Sequence, residues 1–255
     1  MKKLQRLFLL CLFGITGVAS WAQEECPNDE IWYTSSDGNV VTPYSSSDFG
    51  ASIVSNTYSD GKGVIKFDGD VTSIDSLAFY RCSSLTSVIL GNSVTSIGGR
   101  AFSGCSSLTT ATLGNSVTSI GASAFYGCSS LTSINIPNSV TSIGPYAFRG
   151  CEGLTDIYVH WQTPLSPGHF VFRDVDTNRC ILHVPLGTAE AYRNANVWKD
   201  FGTIVEDEEV AIESVTTGSN AKQAKKEAIY TLSEVKVSNA TKGIYIIGGK
   251  KVMVK

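Results

Sequence analysis

VTSIDSLAFYRCSSLTSVILGNS (71–93), VTSIGGRAFSGCSSLTTATLGNS (94–116), VTSIGASAFYGCSSLTSINIPNS (117–139) and VTSIGPYAFRGCEGLTDIYVHWQ (140–162) are one 23-residue sentence written four times. A fixed period of this length signals a solenoid, because a single unit cannot bury its own apolar face. Stacked units make the core together, and each coil touches only the coils beside it.

The columns divide into roles. In the L-x-x-(V/A/I)-x-(L/I) step, as in Leu131-Thr132-Ser133-Ile134-Asn135-Ile136, inward residues fall two apart, as a strand requires. Gly91, Gly114 and Pro137, each followed by Asn-Ser, turn the chain. Val-Thr-Ser-Ile adds two apolar anchors. Gly98, Gly121 and Gly144 follow, expected where φ is positive or the backbone passes close to its neighbour, with Asp75 as a left-handed substitute in the first repeat. Ala78-Phe79, Ala101-Phe102, Ala124-Phe125 and Ala147-Phe148 then fit one helical or 3₁₀ turn, with the four rings in an offset stack.

Of the seven cysteines, Cys11 lies in an N-terminal apolar run, and Cys82, Cys105, Cys128 and Cys151 recur at the repeat period. A ladder of parallel thiols is poorly placed for a disulfide torsion near 90°. Buried, inert thiols are expected, and a Cys26–Cys180 bridge is left open. No C-x-x-C spacing points to a metal.

Residues 1–22 read as a secretory signal: Lys2, Lys3 and Arg6, then apolar Leu7 to Val18, then Ser20-Trp21-Ala22 before a cleavage point at Gln23. The apolar run is shorter than the roughly 18–20 residues a spanning helix needs, so no membrane span is expected in the mature chain. Residues 23–63 form an N-terminal cap, with a hairpin of Ile31–Thr34 and Asn39–Thr42 about Asp37-Gly38. Irregular chain with a short strand near Ile53 follows. The solenoid occupies 64–162, with Val64–Phe67 as a half repeat before the four full ones. A C-terminal cap fills 163–206, with Cys180–Val184 as the last strand and Gly187-Thr188 capping a helix that carries Tyr192, Ala195 and Trp198. Residues 207–228 are a polar linker, and 229–255 a β-rich tail with a hairpin across Gly248-Gly249.

These residues carry two resemblances. The pattern SVTSIGxxAFxGCxxLTSIxIP resembles the BspA-type leucine-rich repeat of bacterial surface proteins, and Val184 to Ala195 resembles that family's cap, V-P-x-G-T-x-x-x-Y-x-x-A. The resemblance implies a curved solenoid with short parallel strands on the concave side, and adhesion or host-protein binding. Lys242 to Lys255 resembles the end of type IX secretion sorting domains, K-G-I-Y-I-x-x-G-K-K-V-x-V-K. Upstream, Tyr230-Thr231-Leu232-Ser233-Glu234-Val235 lacks that family's Gly-Arg step.

Catalytic chemistry finds no purchase. His160, His169 and His183 have no metal-ligand spacing, G-x-S-x-G and P-loop patterns are absent, and no cofactor, metal or catalytic set is expected. A net charge of −3 argues against nucleic acid. Between Val71 and Gln162 the only ionic residues are Asp75, Arg81, Arg100, Arg149, Glu152 and Asp156, so Ser and Thr keep this block soluble. Among outward strand positions, Tyr158, Trp161 and Ile89 are the ligand-binding candidates, with Asp156 and Asn135 as polar contacts, since exposed aromatics dominate binding hot spots. Tyr80, Tyr126 and Tyr146 are expected on the convex side, and His160 exposed at a strand end. The leading reading is an exported, cell-surface or secreted module whose concave face contacts protein or glycan, host-derived molecules included. A structural surface spacer without specific ligand is the alternative, and a hydrolase in the variable flanks ranks third.

Overall fold

The computed structural model describes residues 25–44 and 49–207, and the backbone of 229–231, 236–237, 243–247 and 250–254. The signal and most of the linker therefore lie outside the described residues.

Within 25–207 the chain begins with β1 (Glu30–Ser35), β2 (Ile53–Ser59) and β3 (Lys62–Phe67). Each repeat then contributes a two-residue Ser-Ile strand and a longer one: β4 (Ser73–Ile74) and β5 (Leu85–Leu90), β6 (Ser96–Ile97) and β7 (Thr110–Thr112), β8 (Ser119–Ile120) and β9 (Ser133–Ile136), β10 (Ser142–Ile143) and β11 (Asp156–Val159). Past the repeats come β12 (Ile181–Pro185), α1 (Ala189–Asn194), a 3₁₀ turn at Trp198–Asp200 and β13 (Thr203–Asp207). The longer strands make a sheet in the order β13-β12-β11-β9-β7-β5-β1-β3-β2, and the Ser-Ile strands a second sheet, β10-β8-β6-β4. From β5 to β13 every pairing is parallel and in register, which makes a β-solenoid of about six turns.

The core columns fall where the repeat places them. Leu85, Leu108, Leu131 and Leu154, the Val71 and Ile74 columns, and every Ala-Phe pair are buried. Phe79, Phe102, Phe125 and Phe148 stack with centroids 5.2, 5.1 and 5.3 Å apart and planes within 9°. Phe172 continues the stack at 5.7 Å.

The Ala-Phe segment is not a closed helical turn. Ala78, Tyr80 and Cys82 donate N–H to the carbonyls three residues back, as in a 3₁₀ turn, while Leu77, Phe79 and Arg81 donate to Gly99, Ala101 and Ser103 of the next coil. This zigzag needs left-handed residues, and they fall at Leu77, Arg100, Ser123, Tyr146 and Phe170, with φ from 56° to 68°. The glycine column does the other job expected of it. A Cβ on Gly121 would lie 2.6 Å from Gly99 N, and one on Gly144 2.5 Å from Ala122 N. Asp75 is tolerated because it stands on the first coil, exposed, and its φ is not left-handed.

The expected hairpin at Asp37-Gly38 is corrected: residues 39–42 form no strand, because β1 is paired antiparallel with β3 on one edge and β5 on the other. The hairpin is instead β2–β3, seven residues against six, about Asp60-Gly61 with φ of 51° and 79°. Two left-handed residues are what a tight type I′ turn demands. Val64–Phe67 keeps the repeat's inward positions, Ile65 and Phe67 being buried like Val88 and Leu90, but it does not stack directly on the first full repeat, because β1 is inserted between β3 and β5. The antiparallel trio ends the parallel stack at this side.

The other end also differs from expectation. Cys180–Val184 is not the last strand, since β13 pairs parallel with β12. Residues 163–207 therefore carry the ladder onward with a longer period. Gly168 meets Pro145 as Gly144 meets Ala122, and Val171-Phe172 stands in the Ala-Phe place. Thr188 precedes α1 without capping it. Its Oγ1 donates to Pro185 O at 2.6 Å, and the Glu206 carboxylate accepts Ala189 N–H at 3.0 Å, which lowers the Glu206 pKa.

All six described cysteines are free. Cys105, Cys128 and Cys151 donate Sγ–H to Phe79, Phe102 and Phe125 carbonyls at 3.0–3.2 Å, so each thiol ties its coil to the one before. Cys26 and Cys180 are not bridged: the strands beside them, β1 and β12, are five steps apart in the sheet, roughly 24 Å at 4.8 Å per step. Burial pushes Cys26 and Cys180 up to about 12 and Cys82 to about 11, and raises Cys105 further. Cys128 is raised by its contact with the Cys151 thiol and by burial. Unfolded thiols ionise near about 8.5. This stabilising difference is fully present below that pH and is lost as pH rises through the folded values. Denaturant midpoints are expected to hold steady to about pH 8 and fall above about pH 9, with the buried thiols of Cys105, Cys128, Cys151 and Cys180 unreactive to iodoacetamide until unfolding. Rapid alkylation of Cys105, Cys128 or Cys151 in the native protein would contradict this burial.

Separately, β14 (Ile229–Thr231), β15 (Lys236–Val237), β16 (Gly243–Ile247) and β17 (Lys250–Val254) form an antiparallel sheet in the order β15-β14-β16-β17. The β16–β17 pairing runs Gly243↔Val254 to Ile247↔Lys250, as the expected hairpin requires.

Candidate functional site

Outward strand positions align into rows across the sheet. In one row Trp32 lies beside Ile89 and Ile89 beside Thr112; across the next strands Asn135 is beside Tyr158, Tyr158 beside His183, and His183 beside Val205. The parallel register is what gathers these residues, since each is the equivalent position of a different coil. Four of the five binding candidates, Ile89, Asn135, Asp156 and Tyr158, share this sheet face.

Between candidates the face is floored with hydroxyls. Thr109, Thr132 and Thr155 are exposed, yet each Oγ1 donates to the carbonyl one coil back, at 2.9, 3.2 and 3.1 Å. Thr95, Thr118 and Thr141 do the same on the Ser-Ile side at 2.9–3.1 Å. The threonine columns thus serve the stack before they serve a ligand.

Chemical variety collects at the C-terminal end of the row. Tyr158 and His183 rings stack with centroids 4.1 Å apart and planes 16° from parallel. His183 Nε2 lies 2.9 Å from Asp156 Oδ1, and its Nδ1 3.7 Å from Asp207 Oδ2. Asp156 Oδ2 also accepts the Thr155 hydroxyl at 2.8 Å. The imidazole is therefore held between two carboxylates, with 15 % of its side chain exposed against 31 and 29 % for theirs. Neither ring nitrogen faces a hydroxyl or thiol nucleophile in these contacts. The cluster presents an aromatic ring, partly exposed carboxylates that can accept hydrogen bonds, and the Asn135 amide, whose Oδ1 already lies beside His160 Nε2.

Two placements depart from expectation. Trp161 is only 8 % exposed and is not on the sheet face. It replaces the turn Asn of earlier repeats and points into the cap: Nε1 donates to Val140 O at 2.7 Å, its carbonyl accepts Tyr192 Oη–H at 2.8 Å, and its ring packs on Trp198 at 5.9 Å. Both aromatic partners, Tyr192 and Trp198, come from the C-terminal cap. His160 is 4 % exposed rather than solvated, with Nε2 2.5 Å from Asn135 Oδ1.

His183 was legible only through its strand: aligning Leu182 and Val184 with Ile157 and Val159 puts it beside Tyr158. Trp32 was likewise missed. It is 4 % exposed on the outward side of β1, with Lys62 Nζ 3.2 Å above its ring centroid and Nε1 donating to Glu30 Oε2 at 2.6 Å. Among the described residues, no group of three or more His, Cys, Asp or Glu is placed to hold a metal ion, and no helix is long and apolar enough to cross a membrane.

Residues 53–172 match the family described as BspA type Leucine rich repeat region, in six copies. Among solved structures, a Treponema pallidum (T. pallidum) leucine-rich repeat protein is 32 % identical over 48 % of this chain and 56 % of its own, with a TM-score of 0.41. A leucine-rich repeat protein from Bacteroides ovatus is 33 % identical over 55 % and 37 %, with a TM-score of 0.39. A leucine rich cell surface protein from Faecalibacterium prausnitzii is 28 % identical over 56 % and 32 %, with a TM-score of 0.37. The chain spans from about a third to just over half of these proteins. No curated protein matches it.

Proposed function

We propose that this chain is an exported binding module, and that the C-terminal end of its sheet face is where a protein or glycan is held. One observation carries the reading. Coils that repeat the same core place their differing residues, Asn135, Asp156, Tyr158 and His183, side by side on one surface. Tyr158 supplies area at small conformational cost, with carboxylates and an amide around it for orientation. Ile89, near Trp32 at the opposite end of the row, extends the apolar contact. The match to a family of surface proteins supports the same reading. Residues 1–22 act as the export signal in this proposal, and 229–255 as the sorting tail, which the antiparallel order of β14–β17 supports.

Glycan arrays and pull-downs with the mature chain test it. The ligand they return is expected to bind Tyr158→Ala at least about tenfold more weakly, the size of a modest hot spot. Trp161→Ala is unsuitable as a probe because it opens the cap core. Equal binding by Tyr158→Ala and the unchanged chain would remove the site. Deleting 229–255 is expected to leave the product off the cell surface, read by surface labelling.

A further inference from the structure

The face opposite the sheet carries a second cluster of varied residues. Tyr126, Tyr146, Arg149, His169, Phe170 and Arg173 all belong to the zigzag turns of the last coils. Phe170 is 52 % exposed and Tyr126 40 %. Phe170 stacks on Tyr146 with centroids 5.6 Å apart, and His169 meets both rings edge-on at 5.3 and 5.4 Å. The Arg149 guanidinium lies over Tyr126 and Tyr146 at 5.5 and 5.7 Å, and that of Arg173 over Phe170 at 5.3 Å. Isolated apolar residues on a surface need no explanation, but a contiguous aromatic group does. Nor does the solenoid core require these rings, which stand outside the Ala-Phe column.

Charge gives the patch a sign. All three arginines of the four repeats, Arg81, Arg100 and Arg149, emerge on this turn face, and Arg173 follows them in the next coil. Arg149 Nε donates to Asp174 Oδ2 at 2.9 Å, and Arg173 Nε lies 3.9 Å from Oδ1 of the same carboxylate. One acid shared between two guanidiniums leaves positive charge over, in a chain whose net charge is −3. The sheet face, by contrast, carries Asp156 and Asp207 at its equivalent end.

We propose that this turn face is a second interaction surface, and that its partner is a protein surface rich in Asp and Glu. Exposed Tyr and Phe with stacked Arg is the composition of protein–protein hot spots. Guanidinium forks match carboxylates in geometry, and opposite fields steer the encounter. A glycan is disfavoured because the rings are exposed on a turn ridge, whereas small ligands are gripped in recesses that bury most of their surface. A protein partner brings the complementary hollow itself. This surface is independent of the sheet-face site and would stand if that site failed.

Panning a random-peptide display library on the full chain supplies the probe, and winning peptides are then measured by fluorescence anisotropy. The winners are expected to be richer in Asp and Glu than the input. They are expected to bind Arg149→Glu/Arg173→Glu at least about tenfold more weakly, with a similar loss on Tyr126→Ala/Phe170→Ala and none on Tyr158→Ala. Should the charge reversal lower the melting temperature, Arg149→Gln/Arg173→Gln replaces it in the same comparison. Winners without acidic enrichment, or acidic winners that bind the substituted chains equally well, would overturn the proposal. So would polygalacturonate binding through Arg149 and Arg173 where no peptide does, since it assigns the face to an anionic glycan.

Discussion

Phe125→Ala is expected to cost about 3–5 kcal/mol of unfolding free energy, the range for emptying a buried aromatic site. Phe125 is wholly buried and has a ring on each side, at 5.1 and 5.3 Å, so truncation removes two stacked contacts as well as apolar area. The coils above and below cannot close the gap, because each is fixed by in-register hydrogen bonds to its neighbours. The comparison that sharpens this result is Phe170→Ala, which removes an exposed ring from the turn face and is expected to cost under about 1 kcal/mol. Chemical denaturation measures both. Equal costs would mean the Phe column is not the axis of the core.

Gly121→Ala is the second large effect, expected near about 3 kcal/mol, the upper part of the range for overpacking. The added methyl would fall 2.6 Å from Gly99 N and 2.7 Å from Gly98 C, so backbone rather than a movable side chain must yield. Moving that backbone disturbs the whole adjoining coil. Gly127→Ala separates this clash from a simple conformational penalty. Gly127 has φ of 71° and open space where a Cβ would go, so its cost is expected to be about 1–2 kcal/mol, that of left-handed backbone alone. A reversed order would show that coil spacing does not limit this column.

What the sequence disclosed, and what it hid, follows from the repeat. Leu131, Ile134, Ile136, Val117, Ile120 and Phe125 could be assigned to the core because a position that stays apolar in every coil stacks apolar on apolar and is inside, whereas the equally constant Thr109, Thr132 and Thr155 column is polar and lies outside. At the ends that logic stops. Asp37-Gly38 and Asp60-Gly61 are equally good turn dipeptides locally; β1 pairs with β3 and β5 at once, a long-range choice that leaves no edge for residues 39–42. Trp161 looked outward because it sits in the turn column, yet the C-terminal cap supplies Tyr192 and Trp198 to cover it. The period also lengthens: Tyr158 pairs with His183 across 25 residues rather than 23. That slip concealed His183, and with it the two-carboxylate cradle that now defines the candidate site. Of the proposed patch, Asn135, Asp156 and Tyr158 were visible as departures from a repeated pattern, and Ile89 as an apolar residue where the other copies are polar or aromatic.

The central claim is that the solenoid core is shared by all coils while recognition lies where the coils differ on the sheet face. It is tested most directly by titrating one captured ligand against single Ala substitutions along one row, at Ile89, Thr112, Asn135, Tyr158 and His183. The expected profile rises toward the C-terminal end, with losses of about tenfold or more at Tyr158 and His183 and little change at Thr112. A flat profile, or one that peaks at Thr112 in the repeated centre, would contradict the account.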